Sequence, residues 1–101
     1  MSHVRVWKFR PTEGRVQEFA RAYSSGGDWA QLFRNAPGFQ GTTLMSPAAP
    51  DEWWLTLDRW ESSAKFDAFV QLFGDQYRAL DAKLEDISGE EIFVGAFEDP
   101  G

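Results

Sequence analysis

From His3 to Phe9 the segment "HVRVWKF" is rich in β-branched and aromatic residues and alternates with a period of two. That alternation predicts a half-buried first strand, and Pro11 and Gly14 punctuate its end. Val16, Phe19, Ala20 and Tyr23 then recur at helical spacing, an apolar stripe suited to packing on a sheet, and the stripe stops at "SSGG". Asp28 is placed to cap a second short helical piece in which Trp29, Leu32 and Phe33 fall at i, i+3 and i+4. Pro37 and Gly38 close it, so the first crossover is predicted to be a broken helix.

"GFQGTTLMS" reads as a second strand loosened by Gly38 and Gly41, and "PAAPDE" as the turn that leads into a third, "WWLTLDRW". These two strands form a predicted hairpin. Ser62 or Ser63 then caps a long helical pattern whose apolar face carries Phe66, Phe69, Val70, Phe73, Tyr77, Leu80 and Leu84, with Gly74 as a point of bending. After "DISGEE", the run "IFVGAFE" is a last short strand. The order strand, helix, strand, strand, helix, strand predicts a ferredoxin-like α+β fold, βαββαβ, with a four-stranded antiparallel sheet and the helices on one face. No linker or low-complexity segment divides residues 1–101, which are expected to form one domain.

Strand parity sorts the third strand into two sets. Trp53, Leu55 and Leu57 are apolar and are expected to pack under the helices. Trp54, Thr56, Asp58 and Trp60 mix indoles with a hydroxyl and a carboxylate, and His3, Arg5, Trp7 and Phe9 of the first strand form a similar set. Placed on the face without helices, these mixed sets would expose an aromatic patch too large for a monomer. A second copy related by a two-fold axis is the simplest cover, and the two facing sheets would enclose a site for a small, largely apolar aromatic molecule.

Composition narrows the field further. Sixteen acidic against ten basic residues give a net charge of −6 with no basic run, which argues against nucleic acid or an anionic membrane as partner. With no cysteine, disulfides, thiolate nucleophiles and zinc-thiolate sites are excluded, and a reducing, cytoplasmic location is expected. The polar and apolar alternation from His3 onward is unlike a signal peptide, and no later run is long and apolar enough to span a membrane as a helix.

The pieces "FRPTEGRVQEFARAY", "GDWAQLF", "APGFQGTTLM", "LTLDRWES", "FDAFVQLFGDQYRALD" and "GAF", taken in order, resemble the antibiotic biosynthesis monooxygenase-like proteins of the dimeric α+β barrel superfamily. The resemblance covers almost the whole chain and implies a homodimeric barrel. It further implies a cofactor-independent monooxygenase, in which a deprotonated phenolic or hydroquinone-type substrate supplies electrons to dioxygen. The protein then contributes shape, water exclusion and polar stabilisation, without a metal. In that reading Arg5 stabilises the phenolate, Asp58 accepts a proton or orients the substrate, and Trp7, Trp54 and Trp60 stack on it. Asn35, near the end of the short helix, faces the pocket mouth or helps stop the helix at Pro37, and Tyr77 falls on the apolar stripe of the long helix.

Two alternatives stand beside it. One is a non-catalytic ligand-binding or stress-associated dimer in which the aromatics only pack. The other is haem degradation, whose practitioners resemble one another in a first-strand Asn, a Trp in the helix after the third strand and an iron-holding His further along it. The approximately matching places here carry Trp7 or Lys8, Phe69, and Tyr77 or Ala79, and the chain's one histidine, His3, lies in the first strand.

The adjacent carboxylates Asp51–Glu52, Glu85–Asp86, Glu90–Glu91 and Glu98–Asp99 all lie at element ends and are expected to be solvated. His3 is expected to be an ordinary strand-end residue. No G-x-S-x-G, Walker loop, dinucleotide fingerprint or H-E-x-x-H occurs.

Overall fold

The predicted order of elements is the order found, with the first crossover split into two short helices. The computed structural model describes all 101 residues. It contains β1 (Ser2–Arg10), α1 (Val16–Tyr23), α2 (Asp28–Phe33), β2 (Phe39–Met45), β3 (Trp54–Trp60), α3 (Ser63–Ser88) and β4 (Glu90–Asp99). The four strands form one sheet in the order β2-β3-β1-β4, and every neighbouring pair is antiparallel. This is the ferredoxin-like α+β arrangement.

Local chemistry sets several boundaries. Ser62 caps α3, its Oγ accepting a hydrogen bond from the Lys65 backbone N–H at 3.2 Å. At α2 the cap is Gly27 rather than Asp28, which is the first helical residue and makes no capping bond. A side chain at Gly27 would run into the carbonyl oxygens of Arg21 and Ala22, so only glycine lets α1 and α2 meet this closely. The bend expected at Gly74 falls one residue earlier, at Phe73, whose φ of −119° and ψ of 19° interrupt α3. Gly89, at φ 64°, turns the chain from α3 into β4 where a Cβ would strike the Arg10 carbonyl.

The facing of the strands reverses the expectation from parity. Trp60 is fully buried between α2 and α3, with ring centroids 5.5 Å from Phe33, 5.5 Å from Phe66 and 5.3 Å from Phe69. Trp54 meets Phe19 of α1 at 5.5 Å, edge to face. The mixed set therefore lies beneath the helices, and Leu55 and Leu57 lie on the opposite, uncovered face. The reason is volume. The helices present Phe19, Tyr23, Trp29, Phe33, Phe66 and Phe69 to the sheet, and these rings interlock with aromatic partners across the layer. Large rings close such a gap without voids, and aromatic pairs add about 0.5–1.5 kcal/mol each beyond their buried area.

The uncovered face is mostly apolar, with Lys8 and Arg59 among its residues. Register places Val4, Val6 and Lys8 of β1 beside Leu55, Leu57 and Arg59 of β3, with Ile92 and Phe97 of β4 on the other side. Met45, Ile92, Val94 and Phe97 are exposed.

Candidate functional site

A partly enclosed cavity of about 50 Å³ opens between the sheet and the helices. Six aromatic residues wall it: Trp7 and Phe9 from β1, Tyr23 from α1, Trp29 and Phe33 from α2, and Tyr77 from α3. The rings form a chain of contacts, with centroids 4.9 Å apart for Phe9 and Tyr23, 5.8 Å for Trp29 and Phe33, and 5.0 Å for Trp29 and Tyr77. The polar part of the wall is Thr42, Thr56, Asp58, Asp81 and Glu91. A single water needs about 10–15 Å³ on this measure, so the cavity as it stands has space for a few waters and is smaller than the roughly 150 Å³ of a cavity that takes up benzene.

The polar groups are distributed unevenly. Asp58 accepts a hydrogen bond at Oδ1 from the buried Thr42 hydroxyl at 2.8 Å, and its other oxygen has no protein partner. Burial pushes the Asp58 carboxyl up to about 6, while the Thr42 hydrogen bond and the nearby Arg5 guanidinium act in the opposite direction. Burial also raises Tyr23, to about 12, against the polar groups of Trp29 and Ser88. Tyr77 is raised by burial first and then by Asp81. At the mouth, Asp81 and Glu91 are exposed, and Glu91 is raised by burial and by the negative charges of Asp81 and Glu85.

Of the residues singled out in the sequence, Asp58, Trp7 and Tyr77 meet on the cavity wall. Arg5 sits level with Asp58 across the β1–β3 pairing but off the wall, its guanidinium held 4.0 Å from the Phe66 ring centre and 4.6 Å from that of Phe93. It forms no ion pair, and burial lowers its pKa against the pull of Tyr77, Asp58 and Asp67. Trp54 packs on α1 beside the cavity, and Trp60 is sealed in the core. Asn35 is exposed and donates to the carbonyls of Gln31 and Leu32, so it closes the end of α2 instead of facing the mouth.

Glu91 stands beside Glu90 at an element end, where the sequence alone leads one to expect solvation of both. Strand parity separates the two, since Glu91 pairs with Phe9 on the helix side of the sheet. Asp81 was equally legible, lying four residues after Tyr77 on the same face of α3. His3 is buried at 6% exposure, and its Nδ1 lies 2.7 Å from Glu98 on β4. No group of three or more His, Cys, Asp or Glu side chains has an arrangement suited to a metal ion.

Known structures share this architecture. SnoaB, a cofactor-independent oxygenase from Streptomyces nogalater, superimposes with a TM-score of 0.72 at 22% identity, over 99% of this chain and 94% of that one. The ActVA-Orf6 monooxygenase of Streptomyces coelicolor, solved with Nanaomycin D, gives 0.65 at 19% identity, over 99% and 88%. The haem-degrading protein Rv3592 of Mycobacterium tuberculosis gives 0.60 at 23% identity, over the full length of both chains. At these identities the likeness is one of fold. No curated protein is detectably similar in sequence. The family model described as antibiotic biosynthesis monooxygenase matches residues 2–83. By that match the chain belongs to the antibiotic biosynthesis monooxygenase family.

Proposed function

We propose that the protein is a cofactor-independent monooxygenase that oxidises a small phenolic or hydroquinone-type aromatic with dioxygen, and that it works as a homodimer. The observation that carries this reading is Asp58, a carboxylate with one free oxygen on an aromatic wall and a pKa lifted to about 6. A carboxylate so raised is a stronger base than a solvated one and is still ionised at neutral pH, the condition a general base needs.

In this mechanism the ring lies among Trp7, Trp29 and Tyr77, and Asp58 takes the phenolic proton. Arg5, unpaired and level with Asp58, offsets the phenolate charge. The phenolate gives electrons to dioxygen. One oxygen atom enters the ring carbon, the substrate loses two hydrogens, and the second oxygen leaves as water, giving a quinone. The cavity as it stands holds only a few waters, so a phenolic ring requires its mouth to widen, and a larger substrate more so. Haem degradation is less well supported, because the single histidine is buried against Glu98 and none of the cavity residues is a histidine.

Homodimerisation is supported by the uncovered sheet face, where Leu55, Leu57, Ile92 and Phe97 form an apolar surface bordered by the long edge strand β4. The oxygenase reading is tested by dioxygen uptake with a broad panel of phenols and hydroquinones. Uptake above the protein-free rate that Asp58→Asn abolishes, with the fold intact by circular dichroism, is the expected result. No uptake across the panel, or full activity in Asp58→Asn, overturns it and leaves the binding-protein alternative.

A further inference from the structure

The mouth of the cavity differs from its inner end in charge. Asp58 lies level with Arg5 on the paired strand, whereas Glu91 lies level with Phe9. Arg5 and Phe9 are four residues apart on β1, a separation of about 13 Å along an extended strand. One end of the site thus holds a base beside an unpaired guanidinium. The other holds Asp81 and Glu91 with no basic residue in the wall, and neither carboxylate takes part in an ion pair.

Rings complete this end. Phe9, Tyr23, Trp29 and Tyr77 line the same cavity as the two carboxylates, and their faces attract cations. Two carboxylates with no cation to oppose them repel each other at an apolar opening, and a ligand that brings a positive charge relieves that repulsion. The acidic groups belong to no cluster of three or more metal-ligating side chains, and the rings beside them suit an organic cation. The Trp29 indole N–H adds a further polar feature: it is buried in the wall near the Tyr23 hydroxyl but makes no hydrogen bond of good geometry.

We infer that the site selects an amine-bearing phenol, with the ring seated against the aromatic wall of a widened cavity and the ammonium at Asp81 and Glu91. The inference rests on the reading of the cavity as a phenol-binding site and adds the substrate's charge to it. Asp81 and Glu91 are specificity residues in this scheme, separate from Asp58 at the inner end.

The test is equilibrium binding, which does not depend on turnover. Three phenols of matched size differ only in the para side chain: tyramine is cationic, tyrosol neutral and 4-hydroxyphenylacetate anionic at pH 7. Calorimetry or ligand-observed NMR is expected to rank them in that order, with tyramine ahead of tyrosol by about three- to tenfold, the range for partly exposed charge pairs next to rings. Glu91→Gln combined with Asp81→Asn is expected to bring tyramine down to the affinity of tyrosol, and high salt to narrow the gap in the native protein. Equal affinities for tyramine and tyrosol, a preference for the anion, no saturable binding of tyramine, or a tyramine preference that survives the double substitution would each overturn the inference. If tyramine binds as expected but dioxygen is not consumed, the oxygenase reading fails and the charge selectivity stands.

Discussion

The Thr42 hydroxyl on β2 donates to Asp58 Oδ1 on β3 across 2.8 Å, the one protein hydrogen bond to a carboxylate that burial has lifted from 3.8 to about 6. This pair joins the stability of the fold to the chemistry proposed for its cavity.

The first prediction concerns stability against pH. Asp58 binds its proton more tightly in the folded chain than in the unfolded one, so its contribution to stability is complete below about pH 4 and is lost as pH rises through about 6. Asp58→Asn removes that titration. The variant should gain on the native protein as pH rises from 4.5 to 7.5, by a margin on the order of 2 kcal/mol. Urea unfolding at several pH values measures the difference; a margin that stays constant with pH would contradict the assignment.

Thr42→Val deletes the hydrogen bond that favours the ionised carboxylate. The Asp58 titration, followed by carboxyl NMR, should then move upward from about 6, and any pH–rate profile governed by Asp58 should move with it. A midpoint that does not move would mean that the Thr42 contact carries no weight.

Trp60 and Trp7 should part company when truncated. Trp60→Ala empties a fully buried site among Phe33, Phe39, Phe66 and Phe69 and should cost about 3–5 kcal/mol of stability. Trp7→Ala removes a half-buried cavity wall and should chiefly weaken tyrosol binding. Denaturation and binding measured on both variants check the division, and equal stability losses would count against it.

Assembly follows from the uncovered face. The native protein should sediment at twice its 11.5 kDa mass at micromolar concentration, and Leu57→Lys with Phe97→Glu should shift it to the monomer. A native monomer at that concentration would remove the basis for the dimer.

Much of the fold was legible from short-range pattern. The Ser62 cap, the β2–β3 hairpin and the broken first crossover each depend on residues close in sequence, and the structure has all three. The cavity was legible only in part. Asp58, Trp7 and Tyr77 carry unusual side chains for their positions, whereas Glu91 is one acid of a pair at a strand start. Its place at the cavity mouth depends on the β1–β4 register, which a bulge shifts between Val6 and Trp7.

The period of two in "WWLTLDRW" determined by itself that Trp54, Thr56, Asp58 and Trp60 share one side of a strand and Trp53, Leu55 and Leu57 the other. It could not determine which side the helices would cover, because both sides offer enough apolar surface to be buried. Tertiary structure decided that through packing: the aromatic stripes of α1, α2 and α3 need aromatic partners to fill the space between the layers, and the side bearing Trp54 and Trp60 supplies them. The aliphatic side was left open, and Asp58 was drawn under the helices with its neighbouring rings, where burial changes its acidity.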